Sequence, residues 1–103
     1  MKFEVINRAS SGEVVAAVAG KRIRVLSYLF SAAALVTVRW DSATTPLSGA
    51  MSAAAGTPFS APQGPISAGG TMGIMQTERG EALNLTLGGA VQVSGHLVYE
   101  EVM

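Results

Sequence analysis

The chain has 103 residues, 49% of them apolar and 14% charged, and its seven basic and seven acidic side chains cancel. This length supports one hydrophobic core, and a formal charge of zero gives no field that attracts nucleic acid or an anionic membrane. The charged fraction is about half that of an ordinary globular protein. We therefore expect part of the surface to be covered by copies of the chain or by a larger assembly. Absence of cysteine and a single histidine exclude a disulfide framework and a zinc-ligand set.

The N-terminal segment has the pattern of a short strand and not the apolar core of a signal peptide. It contains Lys2, Glu4 and Arg8 between apolar residues. The uncharged run from Val25 to Val38 is shorter than the roughly 20 residues that a membrane helix needs. We therefore expect a soluble product made without an export signal.

Alternation of apolar and polar residues predicts several strands in the first half of the chain. They cover residues 3–6, 13–19, 22–30 and 35–40. In the third strand the alternation places Ile23, Val25 and Leu29 on one face and Arg22, Arg24 and Tyr28 on the other. In the fourth, Val36, Val38 and Trp40 share a face, and residues 41–46 have the composition of a turn.

The middle of the chain is rich in Gly, Ala, Ser and Pro. Three of the four prolines in the whole sequence fall in residues 58–65. Proline cannot donate to a strand ladder, so we expect a loop at about 52–70 with short strand fragments at 47–51 and 66–68. A further strand is predicted at 71–77. The whole chain, 1–103, is predicted to form a single β-sandwich domain.

The last 24 residues, 80–103, carry the clearest pattern in the sequence. Leu83, Leu85 and Leu87 alternate with polar residues, and after Gly88-Gly89 the alternation resumes from Val91 to Tyr99. The pair of glycines is suited to the positive φ of a tight turn, so this segment predicts an antiparallel hairpin. Seven to nine short strands predict an all-β fold, an antiparallel β-sandwich of jelly-roll-like or Greek-key type.

Residue patterns that would indicate catalysis are incomplete. Residues 12–21 end in Gly20-Lys21 but lack the earlier glycine of a phosphate-binding loop, and Arg22 stands in place of the Ser or Thr that follows its lysine. Ser94 and His96 share a strand face, but same-face neighbours lie roughly 6.5–7 Å apart, and no G-x-S-x-G motif surrounds the serine. The carboxylates Glu78, Glu81, Glu100 and Glu101 fit a solvated rim better than a glycosidase pair. We predict a non-enzymatic protein with no catalytic residue, cofactor or metal, although a small hydrolase centred on Ser94 and His96 is the alternative from the enzyme class.

Four segments carry a resemblance to a known family: residues 20–28 (GKRIRVLSY), 47–51 (LSGAM), 77–85 (TERGEALNL) and 93–102 (VSGHLVYEEV). The chain resembles small, cysteine-free, all-β proteins encoded in the virion-structure regions of tailed bacteriophages. That resemblance implies a head decoration protein that is made in the host cytoplasm and sits on the outer surface of the phage head. It would bind the major capsid protein and copies of itself, as a homotrimer, and neither nucleic acid nor membrane. The alternative is a tail-fibre or spike tip that binds a host receptor or glycan through an aromatic such as Phe59 or Trp40.

Position and composition also indicate which residues would contact a partner. The N-terminal strand can extend the sheet edge of a neighbour, and its candidates are Lys2, Phe3, Glu4 and Val5. The proline-rich loop, residues 56–70, supplies Phe59 and Pro62.

Overall fold

The computed structural model describes residues 2–56, 58–61, 66–67, 70–71 and 74–103, and all regular structure in this part of the chain is β. The twelve strands are β1 (Lys2–Arg8), β2 (Gly12–Val15), β3 (Arg22–Ala32), β4 (Val36–Ser42), β5 (Thr45–Pro46), β6 (Met51–Ala53), β7 (Phe59–Ala61), β8 (Ile66–Ser67), β9 (Gly70–Thr71), β10 (Met75–Gln76), β11 (Leu83–Leu87) and β12 (Val93–Val102). Eight of them have three or more residues, within the predicted seven to nine. The predicted all-β, antiparallel sandwich is confirmed.

Ten of these strands form two antiparallel sheets of five strands each. The first sheet has the order β1-β12-β3-β10, with β7 also paired to β3. The second has the order β2-β11-β4-β5, with β6 also paired to β4, and β8 and β9 form a separate ribbon. β1 to β4 alternate between the two sheets, and so do β11 and β12, so each connection at the start and end of the chain crosses from one layer to the other.

The core lies between the two sheets and is centred on three aromatic side chains. The ring of Trp40, which is fully buried, lies 5.3 Å from that of Tyr28 and 6.3 Å from that of Phe30, the latter edge-on at 88°. Burial raises the pKa of the Tyr28 hydroxyl, and the neighbouring Trp40 partly offsets this. Aliphatic side chains from both layers complete the core: Ile6, Val15, Ile23, Val25, Val36, Val38, Leu83, Leu85, Leu87, Val93 and Leu97.

The predicted C-terminal hairpin is wrong, although both of its strands exist. β11 pairs with β2 and β4 in the second sheet, whereas β12 pairs with β1 and β3 in the first. The connection between them therefore crosses from sheet to sheet instead of making a tight turn. Positive φ occurs at Gly20, Gly56 and Gly80 and not at Gly88 or Gly89. Gly88 instead lies close to β4: its amide donates to the Thr37 carbonyl oxygen at 2.9 Å, and a β-carbon there would lie 2.1 Å from Oγ1 of Thr37.

A β-bulge in β3 corrects the predicted faces of that strand. Val98 of β12 lies opposite Ser27 but Tyr99 lies opposite Val25, so Leu26 is an extra residue in β3. An extra residue reverses the alternation beyond it. Tyr28 is therefore buried, and Leu29 is on the outer face with 40% of its surface exposed.

The strand boundaries differ from the predicted ones at several other places. β2 ends at Val15, well before residue 19. β4 continues through Asp41 and Ser42, which the sequence assigned to a turn. Their polar groups are bonded inside the fold: Asp41 accepts from Arg39, and the Ser42 hydroxyl accepts from the Glu78 amide at 2.9 Å. In the middle of the chain, the strand fragment predicted at 47–51 begins only at residue 51. The fragment predicted at 66–68 is observed at 66–67. The strand predicted at 71–77 is described at 70–71 and 75–76.

Candidate interaction surface

The outer side of the first sheet carries a face without formal charge across three neighbouring strands. The strand register aligns its side chains in three rows. We call this the uncharged face, and its nine residues are Phe3, Val98 and Ser27 in the first row, Val5, His96 and Leu29 in the second, and Asn7, Ser94 and Ser31 in the third. All nine are exposed or half-buried, and none is Lys, Arg, Asp or Glu.

Large apolar side chains of the uncharged face are open to solvent. Phe3 is 65% exposed, Val5 58% and Leu29 40%. The Phe3 ring lies 6.2 Å from the ring of His96, the central residue of the face. Contiguous apolar side chains on a small domain mark contact sites more often than scattered single ones do.

A charged pair lies at one end of the uncharged face and not within it. The next pair of outward residues along β3 and β12 is an ion pair, with Nη1 of Arg24 3.2 Å from Oε1 of Glu100. The second sheet differs, since Arg39 donates from Nε to Oδ1 of Asp41 at 2.8 Å and Thr86 donates to the same carboxylate. The outer side of the second sheet therefore carries charged groups where the uncharged face of the first sheet carries none.

A small apolar pocket opens at the edge of the uncharged face. It has a volume of about 180 Å³ and is lined by Leu29, Phe30, Ser31, Pro58, Ser94 and Gly95. Gly95 allows β12 to lie close to β3 there, because a β-carbon would lie 2.0 Å from the Leu29 carbonyl oxygen. We call this site the Leu29 pocket.

The sandwich is open along one side, where β1 and β2 are the end strands of their sheets. A cleft of about 340 Å³ lies there, lined by Lys2, Glu4, Glu13, Val14, Val15, Ala16, Val18, Tyr99 and Glu101. We call it the edge cleft. End strands present backbone N–H and C=O groups that no strand of their own sheet takes up, and a strand of a partner can pair with them.

One ion pair sits at the mouth of the edge cleft. Nζ of Lys2 lies 2.5 Å from Oε1 of Glu101. The hydrogen bond from Lys2 holds the pKa of the Glu101 carboxyl below its ordinary value, and the same bond raises the pKa of Lys2. Within the described residues, Glu4 and Glu13 have no such ion pair, so two carboxylates of the cleft are free to meet a partner.

The four N-terminal candidates divide between these two surfaces. Phe3 and Val5 belong to the uncharged face, while Lys2 and Glu4 line the edge cleft. The division follows from the strand period of two, which sends successive side chains to opposite faces. Sequence reasoning missed Leu29, because the β-bulge that turns it outward has no sequence signal.

The two partner-binding candidates from the proline-rich loop, Phe59 and Pro62, are not placed on either surface. Phe59 begins β7, and its backbone lies opposite Phe30 of β3; its side chain lies outside the described residues. Pro62 also lies outside them. Trp40, the other aromatic considered for receptor binding, is fully buried and is therefore not available to a ligand.

The residues considered for hydrolysis have other partners. The Ser94 hydroxyl accepts a hydrogen bond from Nε2 of Gln92 at 3.2 Å, and the His96 ring lies beside Phe3. The one aspartate of the sequence, Asp41, is on the second sheet. The structure therefore does not bring a serine, this histidine and the aspartate together.

The described residues include no group of three or more His, Asp or Glu side chains placed to hold a metal ion. They also form no helix of the length and apolarity that crossing a membrane demands.

Family models, curated proteins and solved structures give no match to this chain. The uncharged face, the Leu29 pocket and the edge cleft are the features of the chain that bear on its function.

Proposed function

We propose that this protein is a structural virion protein of a tailed bacteriophage, which binds the major capsid protein on the outer surface of the head and stabilises the head as a homotrimer. The observation that carries the proposal is the continuity of the uncharged face with the open end strand β1 in a domain that has few charges. A surface of this kind is suited to permanent contact with protein.

The strand order supports a fold of the jelly-roll type. The first sheet is ordered β1-β12-β3-β10 and the second β2-β11-β4-β5, so the first and last strands are neighbours and β1 to β4 lie in the two sheets alternately. Jelly rolls occur in viral capsid domains and also in lectins and cupins. The fold is therefore compatible with the proposed function but also with others. The surfaces of the molecule provide the more specific support.

The two surfaces suggest a division of labour. The edge cleft offers the backbone of two end strands together with the free carboxylates of Glu4 and Glu13, and we assign it to the capsid protein. The uncharged face is then left for copies of the chain. Burial of apolar area contributes about 25 cal/mol per Å², and many linked contacts over one head raise the total affinity far above that of one contact.

Heads purified without this protein provide the test. Added protein is expected to bind them and to raise their melting temperature, measured by calorimetry of the heads. The Glu13→Lys variant should bind less, because it reverses a charge of the edge cleft. Ser52→Lys changes an exposed residue of β6 in the second sheet and serves as the matched control.

Two results would contradict the proposal. Binding to host cells or to glycan, with none to heads, would favour a fibre or spike tip instead. Equal head binding by wild type, Glu13→Lys and Ser52→Lys would remove the edge cleft from the proposal. Electron cryo-microscopy of the intact particle locates the protein directly.

A further inference from the structure

We infer that the uncharged face is the contact between copies of this chain, and that Phe3 of one copy enters the Leu29 pocket of the next. The inference deepens the proposed function and rests on it in one respect, namely that the protein acts as an assembly of copies. It adds the surface, the residue that inserts and the pocket that receives it.

The lack of formal charge favours a second copy as the occupant over a charged partner. A capsid surface or an acidic or basic peptide would be recognised through complementary charge, and the nine residues of the uncharged face offer none. Two surfaces from identical chains meet without like-charge repulsion when neither carries a formal charge. The ion pair of Arg24 and Glu100 lies at one end of this uncharged surface.

Shape gives the second argument, because both halves of one contact lie on the same face. Phe3 projects with 65% of its surface exposed, and the Leu29 pocket is a small apolar recess of about 180 Å³. An exposed aromatic ring and an apolar recess are the two parts of a typical interface anchor.

The ring cannot enter the pocket of its own chain. Asn7 lies opposite Ser94, a pocket residue, and Phe3 is four residues away along β1, roughly 13 Å at 3.3 Å per residue. The contact must therefore join two chains. Because the projecting residue and the pocket are different sites on one face, each copy can offer both at once, and a closed pair or ring of copies satisfies all of them.

The first experiment measures mass in solution. Light scattering after size-exclusion chromatography should show an oligomer for the wild type and a shift towards monomer for Phe3→Ala. Leu35→Ala is the matched control, since Leu35 is an apolar residue that is 70% exposed and lies outside the face. A monomeric wild type at about 100 µM, well above the dissociation constant of a stable interface, would overturn the inference.

The second experiment traps the contact and uses the absence of native cysteine. A chain carrying Phe3→Cys together with Ser94→Cys should form disulfide-linked oligomers on mild oxidation, seen on a non-reducing gel. A disulfide requires α-carbons within about 7 Å, so no link forms within one chain. The pair Phe3→Cys with Ser52→Cys is the control, because Ser52 lies on the second sheet.

These results separate failure of the inference from failure of the proposed function. Linked oligomers from the first pair alone support the inference, even if heads are not bound. Linking no greater than in the control pair overturns it, even if heads are bound. Linked dimers in place of trimers would keep the contact and contradict the homotrimer.

Discussion

Gly95 of β12 lies opposite Phe30 of β3, so close that a β-carbon on the glycine would lie 2.6 Å from the Phe30 α-carbon. The carbonyl oxygen of Leu29 would be closer still, at 2.0 Å. Both atoms belong to the backbone of the central strand, which cannot move as a side chain does. Gly95 therefore fixes the spacing of the two longest strands.

Gly95→Ala is expected to destabilise the fold by at least about 1–3 kcal/mol, the usual cost of forcing extra volume into a packed site. The measurement is urea unfolding followed by circular dichroism. Gly49→Ala is the control, because nothing lies within 4 Å of a β-carbon at that position. A loss of stability equal to that of Gly49→Ala would show that β12 and β3 are less tightly packed than described.

Trp40→Ala should be the most damaging single truncation of the core. Trp40 is the largest fully buried side chain, and its ring contacts those of Tyr28 and Phe30. Loss of a buried aromatic side chain costs about 3–5 kcal/mol. Leu35→Ala, at an exposed position, should change the free energy of unfolding by less than about 0.5 kcal/mol. Similar losses in the two variants, measured by urea unfolding, would place Trp40 outside the core.

Arg39→Met tests the bonding of the buried carboxylate on the second sheet. Asp41 is 2% exposed and accepts two hydrogen bonds from the Arg39 guanidinium. Removing the arginine leaves Thr86 as the remaining side-chain donor that the structure shows. Hydrogen bonds to charged groups contribute about 1.5–3 kcal/mol, so a loss of that order is expected. Arg79→Met, in an exposed turn, should leave the free energy of unfolding nearly unchanged.

Strand positions could be predicted from the sequence, but strand partners could not. Leu83, Leu85 and Leu87 alternate as predicted and are buried. Alternation shows that a strand has one buried face; it does not show which sheet provides the opposite face. The connection through Gly88 and Gly89 is short enough for a hairpin, yet the two strands that it joins belong to different sheets.

The sequence also predicted only part of the candidate surface, because some of its residues depend on how the strands pair. The exposure of Phe3 and Val5 follows from a period of two along an end strand, and the sequence proposed both residues. The position of Leu29 depends on the extra residue Leu26 in β3, and a bulge in a run of apolar residues has no distinctive composition. The Leu29 pocket depends on that bulge and on Gly95, so it becomes visible only in three dimensions.

Replacing Glu101 by Gln should destabilise the fold at neutral pH and have less effect at both extremes. The folded pKa of Glu101 lies below its ordinary value of 4.5 because Lys2 donates a hydrogen bond to it, and Lys21 adds to the effect. The stability that comes from this carboxylate is therefore present above pH 4.5 and lost as pH falls through the lowered pKa. The folded pKa of Lys2 lies above 10.5, so its contribution is present below pH 10.5 and lost as pH rises through the raised value.

The measurement is urea unfolding of wild type and Glu101→Gln at several pH values and two salt concentrations. The difference in unfolding free energy should be largest between pH 4.5 and 10.5, the two ordinary values, and smaller in high salt, which screens surface charges. Glu78→Gln is the control, because its carboxylate is 70% exposed and lies 3.5 Å from Arg22, and exposed pairs contribute little. A difference for Glu101→Gln that stayed constant across pH would assign its effect to packing at the mouth of the edge cleft and not to the charge of Lys2.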